Sequence, residues 1–128
     1  MKPEILQHSH TQPVDDALLQ EIVGKIVERF HPRRIVLIGS RARRDHQSDS
    51  DVDLFVEMNS DDPPHERKVK IRSLFPRRRW SLDLVVYTPA EVQKYRPLRG
   101  LMLSLIEAEG KTLYEQPAAS RPSVDSEG

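Results

Sequence analysis

The sequence predicts a single α+β domain in which a small mixed β-sheet of three to four strands carries helices mainly on one face. Three observations predict it. A long stretch of helical periodicity opens the chain, three short apolar runs of strand length follow, and the second and third of those runs are separated by enough residues to hold a helix. With 128 residues, 37% of them hydrophobic, the chain can build one core but not a catalytic domain plus a substantial substrate domain.

Residues 1–12 show no periodicity, and residues 116–128 are rich in Pro, Ser, Ala and charge, so the folded domain is expected to span 13–115 between two disordered ends. From Val14 to Phe30, apolar residues at 14, 18, 22, 26 and 30, joined by Leu19, Val23 and Val27, form one broad helical stripe. His31-Pro32 ends that helix, because the residue before proline avoids the α region. Ile35-Val36-Leu37-Ile38 reads as a strand buried on both faces, stopped by Gly39.

The next strand, Asp51 to Glu57, alternates. Val52, Leu54 and Val56 point one way, and Asp51, Asp53, Phe55 and Glu57 point the other. A third strand, Ser81 to Tyr87, puts Leu82, Leu84 and Val86 on one face and Asp83 on the other. Pro64 to Phe75 is expected to form a helix bridging these strands, long enough for a crossover. Thr88 caps a short helix that starts at Pro89 and runs to about Tyr95. A further helix runs from about Leu98 to Ala108, and Lys111 to Glu115 supplies a short edge strand.

Composition narrows the chemistry. No apolar run reaches the length needed to cross a bilayer, and Met1-Lys2-Pro3-Glu4 does not open a secretory signal, so the expected compartment is the cytoplasm. There is no cysteine, which leaves carboxylate, imidazole and hydroxyl chemistry. Net charge is zero, which argues against a general attraction to nucleic acid. The charges are unevenly placed, however: Arg33, Arg34, Arg41, Arg43 and Arg44 flank one strand, Arg77, Arg78 and Arg79 precede another, and acidic residues gather between 45 and 62. These arginines read either as solubilising surface or as a basic wall around a polyanion. Direct nucleic-acid binding is not expected, since Trp80 is the only tryptophan and no recognition motif accompanies the arginines.

The stretch from Gly39 to Leu54 carries the chemistry. A glycine and a serine after a buried strand let the backbone turn and approach a ligand, offering N–H groups and the Ser40 hydroxyl to phosphate oxygens. Asp51 and Asp53, two residues apart, put both carboxylates on one side of a strand, and a hard divalent cation such as Mg²⁺ relieves their repulsion. Asp83 interrupts the apolar run Leu82-Asp83-Leu84-Val85-Val86 and needs a partner there, either the same metal or an arginine among 77–79. If the aliphatic rows share one side of the sheet, all three aspartates emerge together on the other. A calcium loop of the EF-hand kind is excluded, because Leu54 stands where that loop needs glycine and Ser60 where it needs glutamate.

Gly39-Ser40, then Asp51-Val52-Asp53 on a strand, then Asp83 on another strand resembles the nucleotidyltransferase superfamily of DNA polymerase beta. The nearer resemblance is to its small prokaryotic members, the minimal nucleotidyltransferases, through Gly39-Ser40-Arg41-Ala42-Arg43, Ser50-Asp51-Val52-Asp53-Leu54 and Glu109-Gly110-Lys111 to Leu113-Tyr114-Glu115. One position departs: the family commonly has glycine where this chain has Arg44.

The resemblance implies the nucleotidyltransferase fold and assigns roles. Gly39 and Ser40 would bind a nucleoside triphosphate, with Arg41 and Arg43 as candidates to hold phosphate oxygens. Asp51, Asp53 and Asp83 would coordinate Mg²⁺, two ions in all, and Asp83 would take the proton from an attacking hydroxyl. The activity implied is transfer of AMP from ATP to a hydroxyl. The partner implied is a small helical HEPN-type toxin, which the chain would counter as an antitoxin, by adenylylating a tyrosine or by covering its active site. Three readings are open at this point: a protein adenylyltransferase, a non-catalytic antitoxin that binds, and a small-molecule nucleotidyltransferase acting as a homo-oligomer.

Overall fold

The structure is a computed structural model and describes residues 15–39, 42, 51–98 and 102–117. The N-terminal segment expected to be disordered, and the tail from 118 onward, lie outside these residues. Helix α1 (Asp16–Phe30) opens the described chain, capped by Asp15, whose carboxylate accepts from the Leu18 N–H at 2.9 Å. It ends at His31, which leaves the α region by turning left-handed (φ 51°, ψ 55°) while its N–H still reaches the Val27 carbonyl. Pro32 thus stops the helix as expected, through a left-handed residue rather than an extended one.

Strands β1 (Arg34–Ile38), β2 (Val52–Glu57), β3 (Leu82–Tyr87) and β4 (Lys111–Glu115) form one sheet in the order β3-β2-β1-β4. β1 pairs antiparallel with both β2 and β4, and β2 pairs parallel with β3, so the sheet is mixed. The parallel pair requires a crossover, supplied by α2 (Pro64–Arg72). Two shorter helices, α3 (Pro89–Tyr95) and α4 (Met102–Glu109), lie between β3 and β4 in the chain. Thr88 caps α3 in a reciprocal box with Glu91, the arrangement that Thr88-Pro89 announces in the sequence.

Strand alternation divides the apolar residues into two layers. Ile35, Leu37, Val52, Leu54, Val56, Leu82, Leu84 and Val86 pack against Ile22 and Ile26 of α1 and Ile71 of α2. The longer helices therefore share one face, as the patterning predicts. The opposite face also has a small core: Val36 and Phe55 meet Val92 of α3 and Leu103 and Ile106 of α4. Phe55 stands in the same row as Asp53, so that row is apolar over one half of the sheet and acidic over the other.

The outer edge of β3 is covered by arginines. Arg72 donates to the Leu82 carbonyl at 3.1–3.2 Å and Arg67 to the Val86 carbonyl at 3.0 Å, which satisfies acceptors that an edge strand leaves open.

Candidate nucleotide site

In the parallel register of β2 with β3, Asp53 stands directly beside Asp83, and in the antiparallel register of β1 with β2, Ile38 stands beside Asp53. Gly39, the next residue after β1, therefore arrives at the Asp53 side chain. A Cβ on Gly39 would lie 2.3 Å from Asp53 Oδ2, and Gly39 adopts φ +77°, so glycine is needed here for both space and backbone conformation. The Ala42 N–H returns to the Gly39 carbonyl at 3.1 Å, a turn that bends the chain straight after the strand.

Gly39, Asp53 and Asp83 line one cavity of about 310 Å³, closed on its far side by Leu105, Ile106 and Glu109 of α4. Gly110 fixes that second wall. A Cβ there would meet the Val36 side chain at 2.4 Å and the Ile106 carbonyl at 2.6 Å, so the end of α4 sits against β1 only because residue 110 is glycine.

Of the residues that the sequence singles out, Gly39, Asp53 and Asp83 come together in this cavity. Asp51 is exposed, one residue before β2, and is not among the cavity's lining residues. Ser40, Arg41, Arg43 and Arg44 lie outside the described residues. Asp83 does not pair with an arginine among 77–79: among the described residues neither it nor Asp51 has a hydrogen-bond or ion-pair partner, whereas Asp53 is not free of interactions. Arg34 is not part of a wall around this site. It stands at the opposite end of β1, held by the buried Glu57 at 2.7 Å and by Glu107 at 3.1 Å. Arg77 and Arg78 line a different cavity, with Lys25, Phe75 and Trp80, among side chains of the α1–α2 layer.

Among the described residues no three Asp, Glu or His side chains converge closely enough to enclose a metal ion. What the cavity offers is two carboxylates on neighbouring strands. That donor set suits Mg²⁺, which is bound by one or two protein carboxylates together with substrate phosphates and waters rather than by an all-protein cage.

The α4 side of the cavity is not foreseen from the sequence. Glu109 and Gly110 are there as a motif, but nothing in helical periodicity shows that Gly110 brings Glu109 onto the aspartate face.

Comparison with known proteins identifies this arrangement. Residues 19–117, most of the chain and all of the elements around the cavity, match the family described as the nucleotidyltransferase domain. The chain belongs to that family. A solved structure from Sulfolobus solfataricus, put forward as a nucleotidyltransferase, is similar over 78% of this chain and 79% of its own, with a TM-score of 0.55 and 20% identity, which supports the same nucleotidyltransferase fold. No curated protein matches. Nucleotidyltransferase domains generally use a nucleoside triphosphate and a divalent metal. No described helix is long and apolar enough to cross a membrane.

One consequence is testable in the turn itself. Gly39→Ala should destabilise the fold by about 1–3 kcal/mol, since it combines a left-handed backbone with a clash against Asp53. It should also weaken nucleotide binding. Denaturant unfolding and nucleotide titration check the two effects separately.

Proposed function

We propose that this nucleotidyltransferase domain transfers AMP from ATP to an acceptor hydroxyl at the cavity formed by Gly39, Asp53 and Asp83. The observation that carries the reading is the adjacency of Asp53 and Asp83 in the β2–β3 register, on the face that Gly39 reaches. Asp53 and Asp83, with Asp51 beside the strand start, would hold Mg²⁺. Bound there, the metal would polarise the α-phosphate and neutralise the leaving pyrophosphate.

The chain's own residues do the rest. Gly39 lets the backbone approach the triphosphate, and the Ser40 hydroxyl together with Arg41 and Arg43 would hold its oxygens. Asp83, which has no competing partner among the described residues, accepts the proton of the acceptor hydroxyl. The acceptor oxygen bonds to the α-phosphorus, the bond from that phosphorus to the bridging oxygen breaks, and pyrophosphate departs with both electrons of that bond.

For the acceptor, the sequence resemblance to minimal nucleotidyltransferases supports a tyrosine hydroxyl of a small helical HEPN-type protein, with the chain acting as its antitoxin. The test uses ATP labelled at the α-phosphate, with Mg²⁺ and a HEPN protein from the same genome. Label on a tyrosine of that protein is the expected result. Tight complex formation with no label anywhere would favour neutralisation by binding alone, and label on a small hydroxylated molecule in place of protein would move the acceptor to that class.

A further inference from the structure

The α4 wall of the cavity contains two side chains whose positions folding does not explain. Leu105 is 57% exposed, though it lines the cavity, so it contributes little to the core. Glu109 puts a carboxylate at the C-terminus of a helix, where it opposes the macrodipole, and it has no hydrogen-bond or ion-pair partner among the described residues. Glu107, on the same helix, shows the contrast: Arg34 donates to it at 3.1 Å, and Arg96 Nε at 3.1–3.2 Å. Leu105 and Glu109 are four residues apart, hence neighbours on one stripe of the helix. Gly110, pinned on β1, fixes where that stripe meets the cavity.

On the strength of the nucleotidyltransferase reading above, we propose that Leu105 and Glu109 form the wall that receives the base of the incoming nucleotide, and that Glu109 selects bases bearing an amino group. A flat heterocycle would cover the exposed Leu105, with Val85 and Ile106 behind it. An ionised carboxylate only accepts hydrogen bonds. Adenine and cytosine offer an amino N–H on their pairing edge, and guanine offers an amino N–H beside a ring N–H. Uracil sets its single ring N–H between two carbonyl oxygens, which a carboxylate repels.

The experiment measures binding of ATP, GTP, CTP, UTP and inorganic tripolyphosphate, each with Mg²⁺, to the full chain and to the Glu109→Gln and Leu105→Ala variants. The wild type should bind UTP about tenfold more weakly than the best amino-bearing nucleotide. Glu109→Gln, whose amide both donates and accepts, should collapse that difference. Leu105→Ala should weaken all four nucleotides together, and neither variant should change tripolyphosphate binding, which reports the phosphate end alone. Both side chains are solvent-facing, so the variants should unfold with the wild type. If the wild type binds nucleotides and tripolyphosphate but the variants leave base preference and affinity unchanged, the base wall is wrong and the nucleotidyltransferase reading stands. Failure of the wild type to bind any of the five probes would overturn both.

Discussion

Replacing Asp53 by asparagine should lower nucleotidyl transfer on the order of 10²–10³-fold, the usual cost of losing one preorganised electrostatic group at a reacting phosphate. Asparagine keeps the shape of the side chain against which Gly39 packs and removes only its charge. Asp83→Asn should cost a similar factor for a different reason, since the proposal gives the lost group two roles, metal ligand and proton acceptor. The two variants separate function from folding. Asp53 and Asp83 are like charges side by side on neighbouring strands, a pairing that weakens a sheet, and Asp83 has no compensating partner among the described residues. The unfolding midpoint of Asp83→Asn should consequently equal or exceed that of the wild type while activity falls. Glu57 is the control: it lies in the same row of β2 as Asp53 but is buried against Arg34, so Glu57→Gln should reduce stability and leave transfer intact. Transfer of α-labelled phosphate and thermal unfolding, run on all three variants, check this. Full activity in Asp53→Asn would remove the proposed site.

The part of this site that was legible in the sequence is the part governed by period-two alternation. Asp53 and Asp83 interrupt aliphatic rows, and a strand has only two faces, so aligning the rows puts both carboxylates on the same side. Gly39 was legible because a glycine ending a buried strand signals a turn. The helix ends at Asp15, His31-Pro32 and Thr88-Pro89 were legible because capping is local chemistry. What alternation does not encode is which residues from distant elements complete the same face. Leu105 and Glu109 reach the cavity through Gly110 packing on Val36, a contact between residues 74 positions apart that leaves only a glycine as its trace. The second core has the same origin: Phe55 looks like one more member of the aspartate row until α3 and α4 fold over it. Arg34 shows the converse error, in which proximity in sequence to the phosphate turn suggests proximity in space, although five residues of strand carry it to the other end of the sheet.

The largest stability effect should come from Arg67, far from the chemistry. Its polar tip is 6% exposed and fully engaged: it donates to Glu91 at 2.8 and 3.2 Å, to the Val86 carbonyl at 3.0 Å and to the Asp62 carbonyl at 2.9 Å. No sequence pattern announces it, because charged residues on an apparently polar helix are ordinarily solvated. Truncating it strands three acceptors, one of them the Glu91 carboxylate that also closes the cap of α3 on the Thr88 N–H. Removing one member of a buried ion pair costs about 3–5 kcal/mol, so Arg67→Ala should lower the unfolding midpoint by more than about 10 °C. Arg67→Lys should recover only part of that, since a single ammonium does not reproduce the planar fork. The pH dependence gives an independent check. Hydrogen bonding from Arg67, the largest cause, holds the Glu91 carboxyl below its ordinary value against the opposing effect of burial. A folded pKa below the unfolded one means that this contribution is present in full above the unfolded carboxylate range. It is lost as pH falls through the lowered folded value. Arg67→Ala removes the hydrogen bonds that hold that value down, so its stability should fall less steeply with acid than that of the wild type. Glu107, lowered by Arg96 and then by Arg34, should preserve a residual slope in both proteins. Acid limbs of equal steepness would show that the Arg67–Glu91 pair does not set the acid stability of the α2–α3 junction.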